Sequence, residues 1–147
     1  MFAAIQSYPE SMSSLTKRII STILLCVVLT ALLFLAFQSA SDSYKLSDQI
    51  MNWTGIRDMS RSDFRIYAHI PGYLIIGLVL LFFGKTHQIK PWLMIIAGLF
   101  LGLGEEVLKQ FVPTRDFDWL DIGMDAIGIS TATLIFLIIV LIRKGWR

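Results

Sequence analysis

The sequence predicts an all-α integral membrane protein, a bundle of four transmembrane helices in a single domain. Of its 147 residues, 55% are hydrophobic, and the mean hydropathy is +0.67. This is too apolar for an ordinary soluble domain. Four apolar runs are each close to the ~20 residues that cross the hydrocarbon core; they cover residues 19–37, 66–83, 92–108 and 122–142. Segments 1–18 and 143–147 are then tails.

Charge is distributed unevenly between the two sets of run ends. Basic residues border one set, namely Lys17, Arg18, Lys85, Lys90, Arg143, Lys144 and Arg147. Apart from Glu10, the acidic residues lie at the other set or just inside the runs. The positive-inside rule therefore predicts a cell-membrane protein with cytoplasmic N and C termini and an acidic end facing outward. No basic motif interleaved with aromatics is present, which argues against a nucleic-acid partner.

The first 65 residues supply one span and a long outer loop. Residues 1–18 are expected to form a cytoplasmic tail, because Pro9 interrupts a weak helical pattern. In the loop after the first span, Leu46, Ile50 and Trp53 recur at helical spacing, with Ser47 on the opposite side. This pattern predicts a short amphipathic helix on the outer leaflet. A solvated loop is the alternative.

The second span carries a polar stripe. Arg65, His69, Tyr73 and Gly77 follow at four-residue steps and so share one helix face. Pro71 is expected in the first turn, where proline is tolerated. His69 is either a ligand-binding, metal-binding or proton-handling group, or an interfacial histidine bonded to a neighbouring helix.

The third span combines small residues with a carboxylate. Gly98, Gly102 and Glu106 follow at four-residue steps, and Lys109 comes three residues later. Small residues at this spacing let another helix approach closely. The partner is either a helix of the same bundle or a second copy of the chain, which makes a homo-oligomer through Gly98 and Gly102 one option. Glu105 and Lys109 are spaced to pair.

The fourth span begins with two aspartates one turn apart. Asp121 lies near the helix start, where the helix dipole favours a negative charge. Asp125 is about 5 Å deeper and needs a partner. Arg65, Lys109, Arg115 and a bound cation are the candidates.

These residues together resemble the VanZ-like family of small membrane proteins. The matching positions are Arg65, His69, Tyr73, Glu106, Lys109, Pro113, Arg115, Asp121, Asp125 and Gly128. Two departures are Glu105-Glu106 in place of the family's usual Asp-Glu pair, and Lys109 where many members have Gln. The resemblance implies a four-span helical protein whose founding member is associated with reduced susceptibility to teicoplanin, a lipid-tailed glycopeptide.

Three hypotheses for function follow. In the first, the protein binds a membrane lipid or lipid-linked envelope precursor, with cations holding an anionic headgroup; the binding residues are Arg65, His69, Tyr73, Glu106, Lys109, Arg115, Asp121 and Asp125. In the second, the protein is an enzyme acting on a lipid-linked substrate. Its catalytic candidates are His69, Glu106, Asp121 and Asp125, and a divalent metal is an option although no cofactor is predicted outright. In the third, the charges form a structural ion-pair network in a scaffold.

Overall fold

Five α-helices make up the protein in a computed structural model, which describes residues 8–56 and 58–145. The helices are α1 (Tyr8–Ala36), α2 (Ala40–Thr54), α3 (Arg61–Thr86), α4 (Pro91–Lys109) and α5 (Trp119–Gly145). Four are long and apolar enough to cross a membrane, over Ser13–Ala36, Arg61–Thr86, Pro91–Lys109 and Trp119–Arg143. The prediction of a four-helix, multi-pass membrane protein is confirmed.

Helix α1 begins well before the predicted start of the first span. Within the described residues α1 runs from Tyr8, and it includes Pro9. Much of the segment expected to be a tail is therefore helical and continuous with the span. Residues 1–7 of that tail, and Arg147 at the C-terminal end, lie outside the described residues.

The predicted amphipathic helix in the first loop is α2. The Ser39 hydroxyl caps its start by accepting from the backbone N–H of Asp42 at 3.2 Å, and Gly55 ends it with a φ of 76°. The Ser39 hydroxyl, together with Lys45, also lowers the pKa of Asp42. Trp53, on the side predicted to face the outer leaflet, is 88% exposed. Ser47, on the opposite side, is buried against the bundle.

Helix α3 begins five residues before the predicted span. Ser60 caps it by accepting from the backbone N–H of Asp63 at 3.1 Å and donating to the Asp63 carboxylate at 2.7 Å. This earlier start places Pro71 inside the helix, so the expectation that it lies in the first turn is wrong. Proline has no N–H, and the carbonyl of Tyr67 therefore has no i→i+4 donor at this point.

Helix α3 is the centre of the bundle and contacts α1, α2, α4 and α5, most extensively α5. A Cβ on Gly128 of α5 would lie only 2.6 Å from the backbone oxygen of Ile70. A Cβ on Gly77 would meet Ala132 at 2.7 Å. These glycines bring the backbones of α3 and α5 together, so side chains near the start of both helices face each other across a short gap.

The small-residue seam of α4 faces α5 of the same chain. A Cβ on Gly98 would lie 2.6 Å from the Ile129 side chain, and one on Gly102 would lie 2.7 Å from the Asp125 carboxylate. These contacts lie within one chain, which is the first of the two alternatives predicted for the seam. Association with a second copy through Gly98 and Gly102 stays a prediction.

At the opposite end of the bundle, hydrogen bonds join α1 to the end of α3. The hydroxyls of Ser21 and Thr86 are 2.7 Å apart, and the Arg18 guanidinium donates to the Thr86 carbonyl at 3.2 Å. These bonds hold α1 against α3 at the basic end of the bundle. The buried charged residues lie at the other end.

Candidate functional site

Buried charged side chains gather where α3 and α5 begin and α4 ends, which we call the acidic end. The buried members are Glu105, Glu106, Lys109, Asp121 and Asp125, none more than 7% exposed. With His69, whose side chain is 10% exposed, they form what we call the charged cluster. Charges removed from water persist only when they are paired and hydrogen-bonded, so their contacts decide what the cluster can do.

Lys109 is at the centre of the cluster. Its ammonium donates to the carboxylates of Glu106 and Asp121, the latter at 3.1 Å, and lies 3.5 Å from a Glu105 oxygen. The predicted pairing of Lys109 with Glu105 is present, but Glu106 and Asp121 are closer partners. One cation thus joins the last turn of α4 to the first turn of α5.

His69 bridges the two aspartates of α5. Its Nδ1 is 2.7 Å from an Asp125 oxygen, and its Nε2 is 3.4 Å from Asp121. Asp125 therefore has the partner its depth requires, and that partner is His69 rather than Arg65, Lys109 or Arg115. An imidazole with a carboxylate at each nitrogen is held in a fixed orientation, which suits both proton transfer and metal binding.

Tyr73 is one turn deeper than His69 on the same face of α3. Its hydroxyl donates to the Glu105 carboxylate at 2.9 Å, and its ring stacks on that of His69 with centroids 6.3 Å apart. The sequence pattern predicted only that Glu105 pairs with Lys109, so Glu105 was not among the predicted site residues. Its position three residues after Gly102, on the small-residue face of α4, could have placed it there.

The loop between α4 and α5 closes over the cluster. The backbone N–H of Asp118 donates to Glu106 at 3.0 Å, and the Thr114 side chain accepts from the backbone N–H of Ala40 at 3.1 Å. The loop therefore connects the charged cluster with the start of α2.

Arg65 and Arg115 lie beside the charged cluster rather than within it. The Arg65 guanidinium carbon is 5.6 Å from the ring centroid of Tyr44 on α2, a cation–π contact that sequence analysis missed. Arg115 donates to the Leu35 carbonyl at 3.2 Å. Partial burial lowers the pKa of Arg115, and the nearby positive charge of Arg65 lowers it further.

Two cavities meet at these arginines. The larger, about 370 Å³, runs between α1, α2 and α3. Its walls are largely apolar, including Val28, Ala31, Leu32, Leu35, Leu46, Ile50, Phe64, Ile75 and Ile76, and it reaches Arg65, Arg115, His69 and Glu105. Its volume lies within the range of about 300–1,000 Å³ typical of ligand pockets. We call it the apolar cavity.

The smaller cavity, about 260 Å³, is polar and lies under the loop between α4 and α5. It is lined by Ala40, Tyr44, Arg65, Thr114, Arg115, Asp116, Phe117, Asp118 and Asp121. We call it the polar cavity. Arg65 and Arg115 line both cavities, so the two guanidiniums stand where an apolar space meets a polar one.

Three buried polar atoms have no hydrogen-bond partner among the described residues: Arg65 Nε, Asp121 Oδ1 and Asp125 Oδ2. Arg65 and Asp121 line the polar cavity, while Asp125 Oδ2 faces Gly102. A buried donor or acceptor left unpaired costs about 1–3 kcal/mol. Such atoms in a cavity indicate positions where a ligand or water would bind.

The site also has the ligand types of a metal centre. Two groups bring three ligand atoms within 4.8 Å of one another, His69 with Glu106 and Asp121, and His69 with Glu105 and Asp125. Either group could hold a divalent metal, since imidazole and carboxylate both bind such ions.

The structure joins six of the predicted site residues in one connected set of contacts: His69, Tyr73, Glu106, Lys109, Asp121 and Asp125. Glu105 adds a further link, because it contacts both Tyr73 and Lys109. Arg65 and Arg115 border the same region from the cavities. No family model, no curated protein and no solved structure matches this chain. Its function must therefore be inferred from the site itself.

Proposed function

We propose that the chain is a VanZ-like membrane protein that binds a phosphate-bearing lipid or a lipid-linked envelope precursor. The observation that carries this proposal is the meeting of an apolar cavity with two guanidiniums, Arg65 and Arg115. A ligand with an apolar chain and an anionic head matches both features. The VanZ-like assignment itself rests on the sequence resemblance.

The apolar cavity suits the chain of such a ligand. Its apolar walls come from α1, α2 and α3, and the α1 residues that line it, such as Ala31 and Leu35, are themselves exposed on the span. A lipid tail could enter sideways from the bilayer, since burial there replaces one apolar environment with another. The headgroup would then stop at the arginines.

The two arginines suit the phosphate. Arg65 Nε is buried without a partner, and the positive charge of Arg65 acts on Arg115. A phosphate between them would relieve this repulsion and accept charge-assisted hydrogen bonds from planar guanidinium groups. In this proposal, Lys109 is already neutralised by three carboxylates and orients the site rather than contacting the headgroup.

The orientation of the protein is part of the proposal. The positive-inside rule favours cytoplasmic termini in the cell membrane and an acidic end at the outer headgroup level. A lipid-linked wall precursor, or the acyl region of a teicoplanin-type glycopeptide, would be found at that level. Reduced susceptibility to such drugs is the phenotype that the family resemblance suggests.

Native mass spectrometry of detergent-purified protein tests lipid binding. We expect the wild type to retain a dioleoyl phospholipid in preference to dioleoylglycerol, which has the same chains and no phosphate. We expect the double variant Arg65→Gln with Arg115→Gln to lose at least tenfold in affinity for the phospholipid. This estimate takes about 1.5–3 kcal/mol per charge-assisted hydrogen bond and about 1.4 kcal/mol per tenfold.

Arg61→Gln is the matched control, because Arg61 is an exposed arginine of α3 that pairs with Asp48 at 2.7 Å, away from both cavities. It should bind the phospholipid like the wild type. Equal binding by the double variant, with helix content and thermal unfolding unchanged, would contradict the proposal.

A metal-dependent or acid–base enzyme acting on a lipid-linked substrate is the second candidate, favoured by the two groups of His69 with buried carboxylates. His69 belongs to both groups. If the candidate is correct, protein equilibrated with Zn²⁺ or Mn²⁺ and then desalted should hold one ion per chain by elemental analysis, and His69→Gln should hold none.

His87→Gln is the control for the metal experiment, since the second histidine of the sequence lies at the opposite end of the bundle beside Thr22. Wild-type protein without bound metal and without turnover of lipid phosphates would eliminate the enzyme. If phospholipid binding also failed, the remaining hypothesis would be a scaffold in which the charged cluster fixes the helix arrangement.

A further inference from the structure

The polar cavity has unpaired atoms of both polarities. Arg65 Nε is a donor, Asp121 Oδ1 is an acceptor, and both are buried without a partner among the described residues. Asp121 is 1% exposed, so its free oxygen carries the cost of a buried acceptor without a partner. A ligand that satisfies both atoms must present an acceptor and a donor within one small group.

The charged residues around the polar cavity are also of both signs. Its lining contains two cations, Arg65 and Arg115, and three carboxylates, Asp116, Asp118 and Asp121. One Asp118 oxygen accepts from the backbone N–H of Leu120 at 2.8 Å, whereas Asp121 Oδ1 is buried without a partner. A purely anionic headgroup would meet these carboxylates unfavourably, whereas one with both signs of charge would complement the cavity.

We propose that the polar cavity recognises a zwitterionic headgroup in which a phosphate is followed by a primary ammonium, as in phosphoethanolamine. The phosphate lies between Arg65 and Arg115, at the boundary with the apolar cavity, and the ammonium donates to Asp121 Oδ1. This assignment rests on the proposed lipid binding and names its headgroup. It requires N–H donors on the cation, because a carboxylate oxygen with no partner needs a hydrogen bond as well as a charge.

Phosphatidylethanolamine and phosphatidylcholine with identical chains are the matched ligands, since they differ only in having three N–H groups or three N-methyl groups. In native mass spectrometry with equimolar lipids, we expect wild-type protein to bind the ethanolamine lipid about tenfold more tightly. Phosphatidylglycerol, which offers hydroxyl donors without the positive charge, should bind more weakly than the ethanolamine lipid. Glycerophosphoethanolamine, which lacks the tails, should not compete at the same concentration.

Each other outcome overturns a defined part of the proposal. Equal binding of the ethanolamine and choline lipids would remove the role of Asp121 as acceptor while leaving phosphate binding by the arginines intact. Equal binding of phosphatidylglycerol would remove the ammonium. Effective competition by glycerophosphoethanolamine would assign the site to a soluble ligand, and failure of every phospholipid to bind would overturn the proposed function as well.

Asp121→Asn adds a test on the protein side. It should reduce the preference for the ethanolamine lipid over the choline lipid to less than about twofold, while Arg65→Gln should weaken both lipids alike. Asp121 also contacts Lys109 and His69, so the folded state of the variant is checked by thermal unfolding. The comparison of ligands on the wild type decides the proposal even if this variant does not fold.

Discussion

Replacement of Lys109 by methionine is expected to lower the free energy of unfolding by about 3–5 kcal/mol, the cost of removing one partner from a buried ion pair. Lys109 is 1% exposed and contacts Glu105, Glu106 and Asp121. Without its ammonium, these carboxylates face one another in a space that water barely reaches. Thermal unfolding in detergent, followed by circular dichroism, measures the loss.

The matched control is Lys45→Met, because Lys45 pairs with Asp42 on the exposed surface of α2. Exposed pairs contribute about 0–1 kcal/mol, so this variant should unfold near the wild-type temperature. Adding Glu106→Gln to Lys109→Met should recover part of the loss, since it removes one unpaired charge. If Lys109→Met unfolded like the wild type, the buried ion-pair network would be contradicted.

Gly128→Ala is the second variant for which we expect a large effect. The added methyl group would lie 2.6 Å from the Ile70 oxygen and 2.9 Å from the Leu74 nitrogen, and both atoms belong to the α3 backbone. Backbone atoms cannot turn aside as a side chain can, so α3 and α5 must separate. Overpacking of this kind costs about 1–3 kcal/mol, which would appear as an earlier unfolding transition and weaker lipid binding.

Gly123→Ala is the same substitution on the same helix, at a position where an added Cβ has nothing within 4 Å. Alanine is favoured over glycine in a helix by about 0.5–1 kcal/mol, so this control should be as stable as the wild type or more stable. If both alanine variants behaved alike, the close approach of α3 to α5 at Gly128 would be wrong.

Hydropathy alone was enough to predict the four spans and the fold class. An apolar run of this length has few stable alternatives to a membrane-spanning helix, because its backbone must be hydrogen-bonded within the segment. The predicted positions of the helix ends were less accurate. Pro71 was misplaced because capping at Ser60 extends α3 beyond its apolar part, where hydropathy carries no signal.

Helical periodicity also placed most of the site correctly. Arg65, His69 and Tyr73 share a face of α3, and Asp121 and Asp125 share a face of α5, because residues four apart always lie on one side of a helix. The sequence by itself therefore determined that polar groups from several spans meet at one end of the bundle.

Only the tertiary structure decided which groups pair. Lys109 could have bound any neighbouring acid, and Asp125 any of several cations, until the contact of Gly128 with α3 set the distance between helices and brought His69 to Asp125. The two cavities likewise depend on how α2 and the loop before α5 lie against α1 and α3. Pairing and cavities arise from distances between helices, and a periodic pattern within one helix does not contain those distances.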